Sequence, residues 1–590
     1  MAAFANSVFV APQVAFGDHS TLLPFSINEA AGIRLIRSHC SGATISSNGW
    51  RLWFAVRRVF AFRRCCVKIF RVMSNFSHHH PCWLFHRDRS MPKLFARLQR
   101  RFRPEISQDR RKFLARTAAV GAGLLLSSHV ARATAAQSSI RQRVVIIGGG
   151  FAGLACGYEM LAAGYDVKIL EARTRLGGRV LSFRDFIPGR IVEGGAELIG
   201  ANHPTWCAYA EKFGLEFLDV SEDADLSMPV HLAGRLLDDK TVLRIYEEME
   251  AAFDSLTERS ESIDPEKPWE SINADKLDRQ SVADWIATLD TPPLVKRLIR
   301  VQFASDNAVE NSKASLLAML VAIKGGGGER FWSDSEAYRC KGGNDQLARH
   351  LAESIGQSRI HLGDAVTEVS HRGPRAIVKC KSGDQYECDR VVVAVPPSIW
   401  PSIRFDPVLP DSLRHQQQGV AVKYLTQTKS RFWLKDEKSQ YSIADGPISQ
   451  TWEATDAQHS SQESANGSEL VGLTAFSGGP QAEVCLGFPK ASRDADYAAE
   501  FEKIYPGFTE QFLQSRFMDW PNDPYALTGY SFPGMGQITS VGKVLHDGLE
   551  RLHFCGEHTC FRFTGYMEGG LFSGASLAQR IAEADGLLVR

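Results

Sequence analysis

Hydrophobic and polar positions change period repeatedly in the stretch from residue 141 to residue 171. Arg143-Val144-Val145-Ile146-Ile147 is a β-branched run without alternation, the pattern of a strand covered on both faces in a parallel sheet. A glycine cluster follows, then helical spacing from Leu154 to Ala163, closed by Gly164. Asp166-Val167-Lys168-Ile169-Leu170 returns to a strand and ends at Glu171. Farther on, Ser271 to Ile323 has helical spacing, with Trp285, Leu289, Leu294, Leu298 and Val301 among its expected core positions. A glycine turn after Arg330 leads to a helix predicted to start near Asn344. Arg359 to Val366, Arg375 to Cys380 and Arg390 to Val395 are predicted strands, the last closed by Pro396-Pro397. Gly419 to Tyr424 and Leu552 to Phe554 also read as strands, and FTGYMEGGLFSG opens a last helix. The polar Asp456 to Ser468 reads as a loop, and no internal repeat is present.

Charge divides the chain. Residues 1–140 hold 21 of the 68 Lys and Arg residues but 5 of the 67 acids, so the other 450 residues carry 47 against 62. The acidic body argues against a nucleic-acid partner and suits cationic substrates through long-range steering, although solubility alone would explain it. In the basic head, Arg110-Arg111-Lys112-Phe113-Leu114 precedes a short apolar run, Thr117 to Leu126, and then Ala131-Arg132-Ala133. This resembles a cleavable twin-arginine export signal over 91–136 and predicts a periplasmic or secreted protein. The run is shorter than the ~20 residues that span a bilayer, so no stable membrane insertion is expected. Residues 1–90 read as a basic extension upstream of the true start at Met91, with a membrane-surface arm as the alternative. None of the twelve cysteines forms a CxxC pair, so neither a metal site nor a disulfide framework is expected.

The first strand enters Gly148-Gly149-Gly150-Phe151-Ala152-Gly153, which fits G-x-G-x-x-G and opens the helix. In such a strand–turn–helix–strand unit the glycines let the backbone approach a pyrophosphate, and an acid about 20 residues on, here Glu171, holds the ribose. Arg175-Leu176-Gly177-Gly178-Arg179 and Val192-Glu193-Gly194-Gly195-Ala196-Glu197 then add two further glycine bends.

With its R-x-GGR block after the ribose-binding acid, the sequence resembles the flavin-containing amine oxidase family from about Arg141 to Arg590. The resemblance implies an α/β fold: a discontinuous Rossmann-like FAD-binding domain with an inserted α+β substrate domain. The boundaries expected are 140–215, 341–400 and 531–590 for the FAD domain, and 216–340 and 401–530 for the substrate domain. It implies FAD contacts at Gly148, Gly150, Phe151, Ala152 and Gly153, at Glu171, Ala172 and Arg173, and at Gly178 and Arg179. Gly195, Ala196, Glu197 and Val366 follow, and then Gly556, Glu557, Tyr566 and Met567 near the C-terminus. The last helix would aim its N-terminus at the flavin, where negative charge collects on reduction. His558 beside the nucleotide reads as a structural hydrogen-bonder rather than a base.

Trp520-Pro521-Asn522-Asp523-Pro524-Tyr525-Ala526-Leu527-Thr528-Gly529-Tyr530 resembles the segment that carries the first cage tyrosine of monoamine oxidases. By that resemblance Tyr530 and Tyr566 flank the amine, and Lys423 holds a water that assists the reaction with oxygen. These three are the expected catalytic residues. Monoamine oxidases attach FAD through a cysteine just before that tyrosine. Gly529 stands there, so non-covalent FAD is expected. The implied chemistry passes a hydride equivalent from the amine α-carbon to flavin N5. The resulting imine hydrolyses to an aldehyde and ammonia, and oxygen is reduced to hydrogen peroxide.

The substrate stays open between an amine and an L-amino acid. GGAELIGANHP lacks the arginine that would bind a substrate carboxylate, which favours primary or secondary amines. Arg562 or Arg339 could still supply that cation, and Glu197 could bind a second amino group. A desaturase or dehydrogenase of the same fold is the further alternative. The partners expected are a small-molecule amine or amino acid and molecular oxygen, with a homodimer as the candidate assembly.

Overall fold

The Arg143–Ile147 strand lies at the centre of a five-stranded sheet in the order 552–554, 390–393, 143–147, 166–171, 360–362. Every pairing is parallel; Ile147 sits opposite Leu170 on one side and Val393 on the other. The computed structural model describes residues 141–220, 226–458 and 469–588. The basic extension 1–90, the export signal 91–136 and residues 459–468 of the expected loop lie outside them. Central strands of such a sheet are covered by helices on both faces, so Val144, Ile146, Val391 and Val392 are buried without alternation.

Helix Phe151–Ala162 starts within the glycine motif, three residues before its predicted start, and packs along the last helix, Met567–Ala584. Both helices present their N-termini to the same side as the carboxyl ends of the strands. That is where parallel α/β sheets bind ligands.

A second, seven-stranded sheet has the order 512–518, 421–428, 471–478, 450–453, 442–444, 230–232, 235–236. It is antiparallel except where Ser442–Ala444 runs parallel to Val230–Leu232. The helical stretch expected over Ser271 to Ile323 is four helices, Ala274–Asp278, Val282–Thr288, Pro293–Asp306 and Leu316–Gly325. Ser281 and Asp284 form a capping box at the second. Trp285, Leu298 and Val301 are buried in the main core, while Leu289 and Leu294 pack at its margin.

One predicted strand divides. Instead of running from Arg359 to Val366, it ends at Leu362; Val366–Ser370 belongs to a separate sheet with 376–380, 385–388 and 404–406. Gly363 turns the chain with φ +80°, a value glycine adopts at no steric cost. Its N–H donates to Arg173 O at 2.8 Å, and Asp364 N donates to Glu171 O at 3.2 Å. The turn thereby sets Val366 beside the end of the second strand, which a continuous strand would have carried past it. The eight cysteines of the described residues are free and buried. No described helix is long and apolar enough to cross a membrane.

Candidate functional site

A cavity of about 520 Å³ opens at the carboxyl ends of the parallel strands. Gly148, Gly150, Phe151, Ala152, Glu171, Ala172, Arg173, Gly178, Arg179 and Val366 all line it. So do Gly195, Ala196, Glu197, Gly556, Glu557, Tyr566 and Met567. Gly153 stands behind this wall for a steric reason. A Cβ there would lie 2.0 Å from Gly148 O, so only glycine lets the helix start against the turn.

Glu171 organises this end. Its Oε2 accepts Gly149 N at 2.7 Å and its Oε1 accepts Arg173 N at 2.8 Å. Burial raises its pKa, and the two amide donors oppose that rise. A carboxylate has about four acceptor positions, so two remain for the ribose hydroxyls expected here. Both Arg173 amino groups grip the Asp523 carboxylate, Nη1 at 3.0 Å, and the guanidinium sits 5.2 Å from the Tyr525 ring centre. His558 also lines the cavity, with both ring nitrogens buried and unpartnered. Burial pushes its pKa down to about 4, so the ring is neutral near pH 7. Glycines that admit backbone, a free acceptor edge on Glu171 and an orphaned polar ring fit the dinucleotide that the sequence predicts.

Tyr530 and Tyr566, 36 positions apart in the chain, meet on the wall of the same cavity. The Tyr530 hydroxyl donates to Asp306 O at 2.9 Å and to Ser305 O at 3.2 Å, which fixes the ring from its far end. Tyr566 occupies the N-cap of the last helix, and its ring meets His203 edge-on, 5.3 Å between centroids. Burial pushes the His203 pKa down to about 3. Gly529 offers no thiol for flavin attachment and no room for one. A Cβ there would lie 2.5 Å from Ala421 Cβ and 2.8 Å from Ala421 N.

Lys423 lies in the middle of strand Ala421–Thr428 and reaches back into the glycine bend. Its Nζ donates to Glu197 Oε2 at 2.6 Å, Gly195 O at 2.7 Å and Glu193 O at 3.3 Å. Those three acceptors match the three donors of an ammonium, the set that the expected water would have to share. Nζ also lies 5.3 Å from the Trp452 ring centre. The other Glu197 oxygen accepts Arg339 Nε at 2.8 Å. Burial opposes ionisation of Glu197, but Lys423 and Arg339 outweigh it and hold its pKa below the usual carboxylate value. Glu193 behaves oppositely: burial pushes it up to about 8, leaving it protonated near neutral pH.

The two arginines weighed as carboxylate binders are engaged elsewhere. Besides Glu197, Arg339 donates to Glu453 O at 2.5 Å and to Asp456 O at 3.4 Å. Arg562 pairs with Glu266 and lies over the Phe563 and Phe572 rings at 5.1 and 4.9 Å. Neither lines the cavity. Glu197, weighed as an anchor for a second amino group, has both oxygens committed to protein cations.

Sequence reasoning missed the wall opposite the glycines: Gln450, Trp452 and Phe476 from the seven-stranded sheet, and Asp306, whose Oδ1 accepts Gln450 Nε2 at 2.7 Å. Gln450 and Trp452 sit at alternate positions of one short strand, a spacing that marks a shared face but not what the face meets. Among the described residues, His361, Asp364 and Asp384 come close enough to share a metal ion. Asp364 already accepts Ser382 N at 3.0 Å and Oγ at 2.5 Å.

This chain is 26% identical over 466 residues to flavin-containing amine oxidase A of Sus scrofa, covering 75% of this chain and 85% of that one. It is 24% identical to flavin-containing amine oxidase B of Homo sapiens, over 75% and 86% of the two chains. Its fold is shared with a solved putrescine oxidase bound to putrescine (TM-score 0.67, 21% identity, 75% of this chain and 99% of that one). It is shared as well with the cyclohexylamine oxidase of Brevibacterium oxydans (TM-score 0.66, 23% identity, 76% and 100%). The family model for flavin-containing amine oxidoreductases matches residues 151–582. With that span matched, the glycine cradle and the paired tyrosines belong to an FAD-dependent oxidoreductase acting on amines, and this chain is a member of the flavin-containing amine oxidoreductase family.

Proposed function

We propose that the protein oxidises primary or secondary amines that carry no carboxylate, with non-covalent FAD and oxygen as the final acceptor. One observation carries the choice: among the described residues, the tyrosine-lined cavity has no uncommitted arginine in its wall. Arg173 grips Asp523 and Arg179 grips Glu557, while Arg339 and Arg562 lie outside it. A buried substrate carboxylate without a cation would pay its full desolvation cost.

Held by Ser305 and Asp306 on one side and by His203 on the other, Tyr530 and Tyr566 offer an amine two aromatic faces. Next to them Lys423 and Arg339 share the buried Glu197 carboxylate, and the buried Asp456 carboxylate also acts on Arg339. Glu193 is protonated near neutral pH. Burial between the two rings disfavours the charged form of an amine and so favours the neutral form with its lone pair available. Bound FAD would supply the acceptor for the hydride equivalent that leaves the amine α-carbon; the resulting imine hydrolyses to an aldehyde with ammonia, or with a primary amine where the substrate is secondary, and oxygen is reduced to hydrogen peroxide. The chain contributes orientation and exclusion of water, and no covalent nucleophile is required.

The test uses the full chain purified with its cofactor. Anaerobic bleaching of the flavin band is recorded with monoamines, diamines and L-amino acids, air is then admitted, and peroxide is assayed. Bleaching by amines and not by amino acids, with Arg562→Ala changing the amine rate by no more than about twofold, is the expected result. Bleaching by amino acids alone would sink the amine reading. Reduced enzyme that ignores air would favour a dehydrogenase or desaturase. We also propose export by the twin-arginine route, on the strength of Arg110-Arg111 and the apolar run behind them. Replacing both arginines with lysine should leave the protein in the cytoplasmic fraction; unchanged export would refute this.

A further inference from the structure

We propose that the Arg179–Glu557 ion pair, with its carboxylate buried, is a positioning element that fixes the two tyrosine-bearing loops at one spacing. The proposal rests on the amine-cage reading above. The Glu557 carboxylate collects four donors: Arg179 Nη2 at 2.9 Å, Gly565 N at 2.9 Å, Ser531 Oγ at 3.1 Å and Ser531 N at 3.3 Å. Ser531 follows Tyr530 and Gly565 precedes Tyr566. The second arm of Arg179, Nη1, donates to Gly529 O at 2.9 Å, on the other side of Tyr530. One ion pair therefore holds the backbone before Tyr530, after Tyr530 and before Tyr566.

Neither loop has regular structure to do this by itself. No strand or α-helix lies between the short Trp520–Asn522 turn and Gln537, and Tyr566 enters its helix only as the N-cap. The Tyr530 loop is also bonded to Gly419, through Gly529 N and Tyr530 O, but those contacts do not reach Tyr566. Thr564 Oγ1 adds one direct link between the loops, to Ser531 O at 3.3 Å. With about four acceptor positions filled by four donors, Glu557 has none left for a cofactor hydroxyl. Its side chain thus serves the protein, and the cofactor contact expected at this position falls to its backbone. Arg179 ends the Gly177-Gly178 turn that faces Gly150, so the tie runs from the nucleotide cradle to the amine cage.

The test compares wild-type, Glu557→Gln and Arg179→Lys holoenzymes. Glutamine keeps the size but turns one acceptor into a donor that faces other donors. Lysine keeps the charge but cannot reach Glu557 and Gly529 at once. Hydrogen exchange read by mass spectrometry should show residues 526–532 and 561–567 speeding up together by about 10-fold in Glu557→Gln, with FAD retained at one per chain. Arg179→Lys should loosen 526–532 more than 561–567. For an oxidised amine, kcat/KM should fall by up to about 100-fold, as expected when reacting groups lose about an ångström of register. Bound-flavin fluorescence should rise as the rings move. Loss of FAD with unchanged exchange would overturn the proposal in favour of a cofactor-binding role, and faster exchange in one loop alone would also overturn it. Should Glu557→Gln fail to fold, the Arg179→Lys pattern decides. Exchange is read without substrate, so an enzyme that oxidised no amine would sink the functional reading and leave this one to the exchange result.

Discussion

The nucleotide end and the amine end share one cavity but are built differently. At the nucleotide end, the bond that sets the turn, Gly149 N to Glu171 Oε2, joins residues 22 apart. At the amine end, Glu197 meets Arg339 across 142 positions and Lys423 across 226. The first is one supersecondary unit closing on itself, and its working parts are mostly backbone and absent side chains. The second is assembled from three elements, and its working parts are charges whose protonation depends on everything around them. A substitution at the first end should therefore act through shape, and one at the second through electrostatics.

Gly153→Ala tests the first half most severely. Inside a helix that change normally gains about 1 kcal/mol. Here the added Cβ would sit 2.0 Å from Gly148 O, with Ala394 Cβ at 3.2 Å, so turn and helix cannot keep their contact. We expect loss of most of the bound FAD while the helix and strand content by circular dichroism is largely kept. A variant that purifies with one FAD per chain would show that shape is not what governs this end.

The same contrast explains what the sequence could reveal. Gly148 to Glu171 could be read because its pattern lies within one unit, where spacing alone fixes geometry. Tyr530 and Tyr566 were legible only through resemblance, since nothing near either ring announces that they share a cavity. Lys423 was found, but not the three acceptors that fill its donors, because they come from a bend 226 to 230 residues away. Glu193 carried no signal at all: an acid between Val192 and Gly194 gives no hint that burial will keep it protonated. The strand predicted from Arg359 to Val366 failed at Gly363, where a positive φ interrupts the alternation of Ile360, Leu362 and Val366 with polar neighbours.

Arg339→Met probes the charge end. It would leave Glu197 with one cation instead of two and strand the carbonyls of Glu453 and Asp456 that Arg339 now satisfies. Breaking a buried ionic contact of this kind costs about 3–5 kcal/mol, and the denaturant midpoint should fall accordingly. Arg339→Lys should recover only part, because it restores the charge but not the fork that reaches both carbonyls. Near-equal stability of Arg339→Met and wild type would mean that the amine end, too, is held by shape, and the comparison would collapse.

The smallest expected effect is also the most diagnostic, because shape cannot produce it. Glu193 titrates near 8 in the folded chain, while an unfolded glutamate titrates at about 4.3. Between these values the folded state holds a proton that the unfolded state has released. Stability from this group is therefore full below about pH 4 and declines as pH rises toward 8, by about 1.4 kcal/mol per pH unit for a fully linked proton. Glu568, raised to about 7 by burial, acts in the same direction over the lower part of the range. Glu197 and Glu557, held below the usual value, lose their contribution only as pH falls below about 4, outside this window. Glu193→Gln keeps the geometry, since its amide oxygen can accept Asn344 N and its amide nitrogen can donate to Ser182 Oγ, the two partners Glu193 has now. Its melting temperature should match wild type near pH 5 and exceed it at pH 8, with a visibly flatter profile between. Parallel profiles would show that Glu193 is already ionised in the folded chain near neutral pH and that a second buried carboxylate stands beside Glu197 and Lys423.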